Sequence, residues 1–134
     1  MDTNKKLHYH TYGLLSFLAI QYALGMYANL FVEFSKSADI HTRWIYAMGN
    51  PFVALHVVIG TGLLLGAVAL VIRAAKLRTA VWKIPAYLGL AGILLSWVGG
   101  ERFVSTQIDI FSYLMSLGFL LAVFAYCWGL ARRG

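Results

Sequence analysis

Long apolar runs separated by short polar stretches dominate the chain. Four runs are long enough to predict helices, and we expect these over residues 12–34, 51–72, 84–104 and 107–130. A helix that crosses a bilayer needs roughly 20 apolar residues, and together these runs use most of the chain. The pattern predicts an all-α integral membrane protein with a single four-span domain over residues 1–134, folded as an up-and-down four-helix bundle.

The polar stretch between the first two runs has a pattern of its own. Ile40, Trp44 and Met48 recur at every fourth position, with polar and charged residues between them. This spacing favours a short amphipathic helix over residues 39–48 that lies in the membrane interface. An ordinary connecting loop is the alternative, and the sequence leaves both open.

Local signals mark two helix starts. Asn50 before Pro51 is a good N-cap followed by a proline suited to a first helical turn. Thr106 followed by Asp109 predicts a capping box at the start of the last helix.

Small residues predict close helix packing. Gly62 and Gly66 form a Gly-x-x-x-Gly motif, while Gly92, Ser96 and Gly100 repeat at every fourth position. Such faces let helix backbones approach one another in lipid.

Composition supports the membrane assignment, and charge predicts an orientation. Hydrophobic residues make up 60% of the chain and charged residues only 12%, about half the share typical of soluble domains. One side of the predicted bundle collects eight basic residues with Asp2 as its only acid: Lys5, Lys6, Arg73, Lys76, Arg78, Lys83, Arg132 and Arg133. The other side has three basic residues. The positive-inside rule then places both termini in the cytoplasm and loops 35–50 and 101–107 outside a plasma (inner) membrane.

The sequence also excludes several classes. The basic residues lie in short tracts beside the spans, which favours contact with anionic membrane lipids and argues against nucleic-acid binding. Cys127 is the only cysteine, so an internal disulfide and Cys-x-x-Cys chemistry are excluded. The centre of the first span holds Gln21 rather than an acid, which argues against a proton-coupled drug exporter. No residue is assigned a catalytic role. His8 and His10 lie in a polar leader and are expected to be solvated.

Polar residues inside the spans indicate where a site lies. Such side chains are costly in lipid and usually point into a bundle. With the orientation above, we expect a polar cluster to converge in the outer half, formed by Asn29, Glu33, Glu101, Gln107, Asp109 and Ser112.

Three potential ligands are predicted at one depth below this cluster. His56, Met26 and Met115 lie at similar distances from the outer ends of their helices, given a rise of about 1.5 Å per residue. Gly60 lies one turn from His56 on the same face, which leaves room for a flat ligand. Gln21, Asn29 and Ser112 would hydrogen-bond such a ligand.

The His-x-x-x-Gly spacing of His56 and Gly60 resembles the haem-bearing helices of b-type cytochromes and of haem A synthase-like four-helix membrane bundles. The resemblance covers about one helix. It implies a haem b on His56 and an electron carrier that exchanges electrons with quinone. The predicted third and fourth helices contain no histidine, so the second axial ligand would be Met115, Met26 or His41.

Other interpretations stay open. His56, Met26, Met115 and His41 would also suit copper. His56 could instead make a structural hydrogen bond or accept protons. A bundle without cofactor would serve as an accessory subunit of a larger membrane complex or as a homo-oligomer.

Overall fold

The computed structural model describes residues 3–36, 39–77 and 81–132, with side chains from Lys5 onward. These residues form helices and connections without a strand. The helices are α1 Thr3–Phe31, α2 Ile40–Gly49, α3 Pro51–Ala75, α4 Lys83–Thr106 and α5 Asp109–Ala131. All except α2 are long and apolar enough to cross a membrane, which indicates a multi-pass membrane protein. Asp2, Arg78 and Arg133 of the predicted charge asymmetry lie outside the described residues.

The four long helices form a bundle in which each helix contacts two others. Within the described residues, α1 contacts α3 and α5, and α4 contacts the same two helices, so α1 lies diagonal to α4. Neighbours run antiparallel: Gly25 faces His56 and Gly66 faces Leu14 along α1 and α3. The bundle therefore has two distinct ends. We call them the α2 end and the basic end, the latter marked by Lys5, Lys6, Arg73 and Lys76.

The first helix begins before the predicted boundary and ends sooner. Leu7 and Thr11 are completely buried, because the polar leader continues as helix and packs on the bundle. His8 meets the Trp82 ring edge-on at 4.8 Å, and His10 Nδ1 accepts a hydrogen bond from Arg73 at 3.3 Å. Both histidines are partly exposed, so they are packed against neighbours rather than surrounded by solvent as expected.

The segment before α3 forms a helix rather than a loop, as the four-residue spacing favoured. Asp39 is its N-cap and accepts from the Thr42 N–H at 2.8 Å. Together with the Thr42 hydroxyl, this bond holds the pKa of the fully exposed Asp39 carboxyl below its usual range. Of the three regularly spaced apolar residues, Trp44 lies against the bundle, whereas Ile40 and Met48 are exposed.

One predicted cap is confirmed and the other is wrong. The Asn50 carboxamide oxygen accepts from the backbone N–H groups of Phe52 at 3.0 Å and Val53 at 3.3 Å. No capping box forms before α5, where Ile108 is the N-cap without a side-chain bond. Thr106 instead donates to the Arg102 carbonyl at 2.7 Å, because it belongs to the last turn of α4.

Backbone contact joins α4 to α5 along a line that we call the α4–α5 seam, formed by Gly92, Ser96, Gly99 and Gly118. A Cβ on Gly118 would lie 2.5 Å from the Gly92 carbonyl oxygen, and one on Gly99 would lie 2.9 Å from the Met115 nitrogen. Ser96 donates across the seam to the Met115 carbonyl at 2.8 Å. The predicted small-residue packing of this helix is confirmed at Gly92 and Ser96.

Only one glycine of the Gly62–Gly66 motif lies in a close helix contact. A Cβ on Gly66 would lie 2.9 Å from Leu14, whereas one on Gly62 would meet nothing within 4 Å. Gly62 is exposed and takes no part in a close helix contact. The close contact between α1 and α3 continues instead at Gly25 and Gly60.

Candidate functional site

A cavity of about 660 Å³ lies at the α2 end of the bundle. All five helices contribute to its walls, which are mainly apolar. This volume falls within the roughly 300–1,000 Å³ of small-molecule sites. All seven residues predicted to bind a cofactor line this one cavity: Gln21, Met26, Asn29, His56, Gly60, Ser112 and Met115.

The imidazole of His56 crosses from α3 to α1. A Cβ on Gly25 would lie 3.1 Å from the ring carbon Cε1, so the ring rests on the bare backbone of α1. Any side chain at position 25 would press on the ring. Gly25 therefore makes the space in which the imidazole lies.

The side chain of Gln21 crosses in the opposite direction. Its amide nitrogen donates to the His56 carbonyl at 2.9 Å, and the same nitrogen lies 2.9 Å from where a Cβ on Gly60 would be. The space over Gly60 that was predicted to admit a flat ligand is therefore occupied by Gln21. The free volume lies beside these two side chains instead.

Two buried polar atoms in this wall have no hydrogen-bond partner among the described residues. They are Nδ1 of His56 and Oε1 of Gln21. An unsatisfied buried polar group costs about 1–3 kcal/mol, and such groups are typical of sites that bind a ligand or water. The oxygen of the Gln21 amide can only accept a hydrogen bond, so the partner it lacks has to be a donor.

Both thioethers of the predicted ligand set reach the same cavity. Met26 lies on α1, and Met115 lies on α5, diagonal to His56 on α3. A Cβ on Gly100 would lie 3.4 Å from the Met115 sulfur, so this side chain lies against α4. Among the described residues, no three His, Cys, Asp or Glu side chains lie close enough to hold a metal ion.

The predicted polar cluster converges only in part. Asn29, Glu101 and Ser112 line the cavity. Glu33 is exposed because α1 ends at Phe31, and Asp109 is exposed in the first turn of α5.

Gln107 and His41 also lie outside the cavity. Gln107 adopts a left-handed conformation with φ 58° at the end of α4. Its amide nitrogen donates to the carbonyls of Phe103 at 3.2 Å and Val104 at 3.0 Å. His41 is exposed on α2. Helix ends and rotations, which spacing alone does not determine, account for these corrections.

The helix α2 forms a roof over the cavity. Trp44 lines the cavity, and its indole N–H donates to the Ser105 hydroxyl at 3.3 Å. That hydroxyl donates in turn to Glu101 at 2.8 Å, and Arg43 donates to the Ser105 carbonyl. These contacts fasten α2 to the last turn of α4. The only sequence signal was the amphipathic spacing around Trp44.

A stacked aromatic pair adds to the contact between α1 and α5. The Tyr22 and Phe119 rings lie 5.5 Å apart at an angle of 27°, and both residues line the cavity. The arrangement is an apolar chamber with a few polar groups, which suits a hydrophobic molecule held by a small number of hydrogen bonds.

Comparisons with known proteins give no further assignment. No protein family, curated protein or solved structure matches the chain.

Proposed function

We propose that this protein is a multi-pass membrane protein that binds a flat, lipid-soluble cofactor in the cavity at the α2 end. The observation that carries the proposal is the meeting of His56, Met26 and Met115 in one cavity of about 660 Å³. The unpartnered His56 Nδ1 and Gln21 Oε1 support it, since they leave buried polar atoms unsatisfied in the wall of the cavity. The proposal sets this chamber within the bilayer, because four of the helices are long and apolar enough to cross one.

The proposed orientation follows from charge. The basic end faces the cytoplasm and the α2 end faces outward across the plasma (inner) membrane, with both termini inside. In the described residues, the acids Glu33, Asp39, Glu101 and Asp109 all lie at the α2 end. A thiol-reactive, membrane-impermeant reagent tests this, because a cysteine introduced at exposed Tyr46 should react in intact cells. A cysteine at exposed Lys76 should react only after the cells are opened.

Haem b is the first cofactor to test. Imidazole and thioether groups ligate haem iron in electron carriers, and here the pair would be His56 with Met115 or Met26. When bound, haem would supply one-electron transfer. The chain would hold it between α1, α3 and α5, with Asn29 and Ser112 available to its polar substituents. Quinone in the surrounding membrane would be the electron donor or acceptor.

A visible absorption spectrum tests whether the purified protein contains haem. Protein purified in detergent should show a Soret band, with sharp α and β bands after reduction with dithionite, if a haem is ligated. His56→Ala should remove these bands. His41→Ala is the matched control and should keep them, since His41 is exposed outside the cavity. Loss of colour in both variants would contradict the assignment of His56.

Copper is the second candidate, and a specific observation favours it. Two soft sulfur ligands and an imidazole line the same cavity, a donor set that suits Cu(I). In that case metal analysis of a colourless preparation should find copper at about one ion per chain, the amount that one such donor set would hold. Met115→Leu should weaken binding, and Met48→Leu, exposed on α2, should not. A preparation that is colourless and metal-free contradicts both the haem and the copper proposal. It would favour the alternative, an accessory subunit without a cofactor.

A further inference from the structure

A second cavity lies away from α2, between α1 and α3. It is an open groove of about 350 Å³, lined by Gly13, Leu14 and Phe17 of α1 and by Ile59, Gly62, Leu63 and Gly66 of α3, with His10 beside them. The two helices do not close here because Gly13 and Gly62 lack side chains. A Cβ on either would meet nothing within 4 Å.

The walls of this groove suit a hydrocarbon chain. Apart from His10, every lining residue is apolar or glycine, and Phe17 is 52% exposed along it. In a bilayer, where expulsion of water no longer drives packing, a gap between helices is filled by whatever gives the best van der Waals contact. Lipid acyl chains surround α1 and α3 on this face if the helices span the membrane.

The groove ends at a positive charge. Arg73 lies in the last turn of α3 and donates to Nδ1 of His10 at 3.3 Å. That bond uses one of the five N–H donors of the guanidinium, and the Arg73 side chain is exposed. Lys76, one turn further on, is exposed as well, as are Lys5 and Lys6 at the same end.

The chain offers Arg73 no carboxylate among its described residues, because all four acids there lie at the α2 end. A second copy in the same orientation would bring the same basic end beside it. An anion for Arg73 therefore comes from outside the described chain, and a guanidinium binds phosphate well because its fork matches two phosphate oxygens.

We propose that the groove between α1 and α3 binds one anionic phospholipid, with an acyl chain against Gly13 and Gly62 and the headgroup phosphate on Arg73. Basic sites between spanning helices on the cytoplasmic side commonly bind anionic headgroups. This site is separate from the cofactor cavity, so it stands whether or not a cofactor binds there.

Native mass spectrometry of the full chain in detergent tests the proposal, with dioleoyl phosphatidylglycerol and dioleoyl phosphatidylcholine as probes. The wild type should retain one phosphatidylglycerol in preference to phosphatidylcholine. Gly62→Leu should abolish retention, because the new side chain enters the groove at a position where its Cβ meets nothing within 4 Å. Arg73→Gln should lower the preference for phosphatidylglycerol by about fivefold, the usual effect of one basic residue at an anionic surface.

The controls separate this result from general damage. Thr61→Leu adds the same side chain at the next position of α3, outside the groove, and should keep the wild-type preference. Gly13→Leu should repeat the effect of Gly62→Leu from the opposite wall, and its far-UV circular dichroism should match that of the wild type. Equal retention of both lipids by the wild type, or undiminished retention by Gly62→Leu and Gly13→Leu, would overturn the proposal. A dimer that becomes a monomer in Gly62→Leu without any retained lipid would assign the groove to a second copy.

Discussion

Replacing Gly118 by alanine perturbs the α4–α5 seam at its tightest point. The new methyl carbon would lie 2.5 Å from the Gly92 carbonyl oxygen and 2.6 Å from both the nitrogen and the hydroxyl oxygen of Ser96. Two of these three atoms are backbone, so no rotamer change relieves the contact. The helices have to move apart.

The magnitude follows from that distance. Ordinary contact between carbon and its neighbours begins near ~3.5 Å, so the backbones must separate by about 1 Å. Overpacking of this kind costs roughly 1–3 kcal/mol. The hydrogen bond from Ser96 to the Met115 carbonyl crosses the same seam, and such bonds contribute about 0.6 kcal/mol in membrane bundles. Alanine recovers up to about 1 kcal/mol through its better helix propensity, which leaves a net destabilisation of about 2 kcal/mol.

Gly62→Ala is the matched control. It makes the same substitution in another spanning helix, where nothing lies within 4 Å of the new carbon. The higher helix propensity of alanine is then the only effect on the free energy of unfolding. We therefore expect unchanged or slightly raised stability. Unfolding by sodium dodecyl sulfate in mixed micelles, followed by tryptophan fluorescence, measures both variants. If Gly62→Ala is as damaging as Gly118→Ala, the assignment of close contact to the seam is refuted and the Gly-x-x-x-Gly motif of α3 packs helices after all.

Three further predictions follow from single residues. Tyr126 is completely buried and its hydroxyl has no partner among the described residues, so Tyr126→Phe should keep or raise stability in the same titration, by up to about 1 kcal/mol, and a loss would mean that the hydroxyl is bonded. Asn50→Ala should lower stability by about 1 kcal/mol, because it removes the acceptor for two N–H groups of α3, while Asn50→Asp should restore most of it. The pKa of Asp39 is depressed by its bonds to Thr42, so the cap is formed above the usual value of about 3.9 and is lost as the pH falls through the lower, folded-state value. The amide resonance of Thr42 should titrate with that lower midpoint, and a midpoint at or above the usual value would contradict the cap.

Much of the fold is predictable from the sequence because its long apolar runs restrict the choices. Each apolar run has to satisfy its backbone groups internally, so a helix is the outcome, and the start of α3 is visible in Asn50 and Pro51. The extension of α1 to Thr3 is not visible, because it depends on burying Leu7 and Thr11 against other helices. Likewise, which glycine faces a neighbour depends on helix rotation. Gly99 rather than Gly100 meets the α5 backbone, although Gly100 has the better spacing.

The level of the candidate site along the bundle was predictable from the sequence, but the side-chain contacts within it were not. Equal distances from the helix ends placed His56, Met26 and Met115 at one level, and all three line the cavity. The crossing of Gln21 over Gly60 was not predictable, because it depends on how closely α1 approaches α3. The roof formed by Trp44 depends on its hydrogen bond to Ser105. The two residues are distant in sequence, and no motif links them.

The two halves of the bundle differ in how their helices are joined. α1 leaves the ribosome first, yet Gln21 finds its partner carbonyl only when α3 has followed. The last two helices need no earlier segment, since Gly92, Gly99 and Gly118 bring their backbones together directly. The α4–α5 hairpin can therefore pack through its own backbone contacts, whereas the cavity needs residues of all five helices.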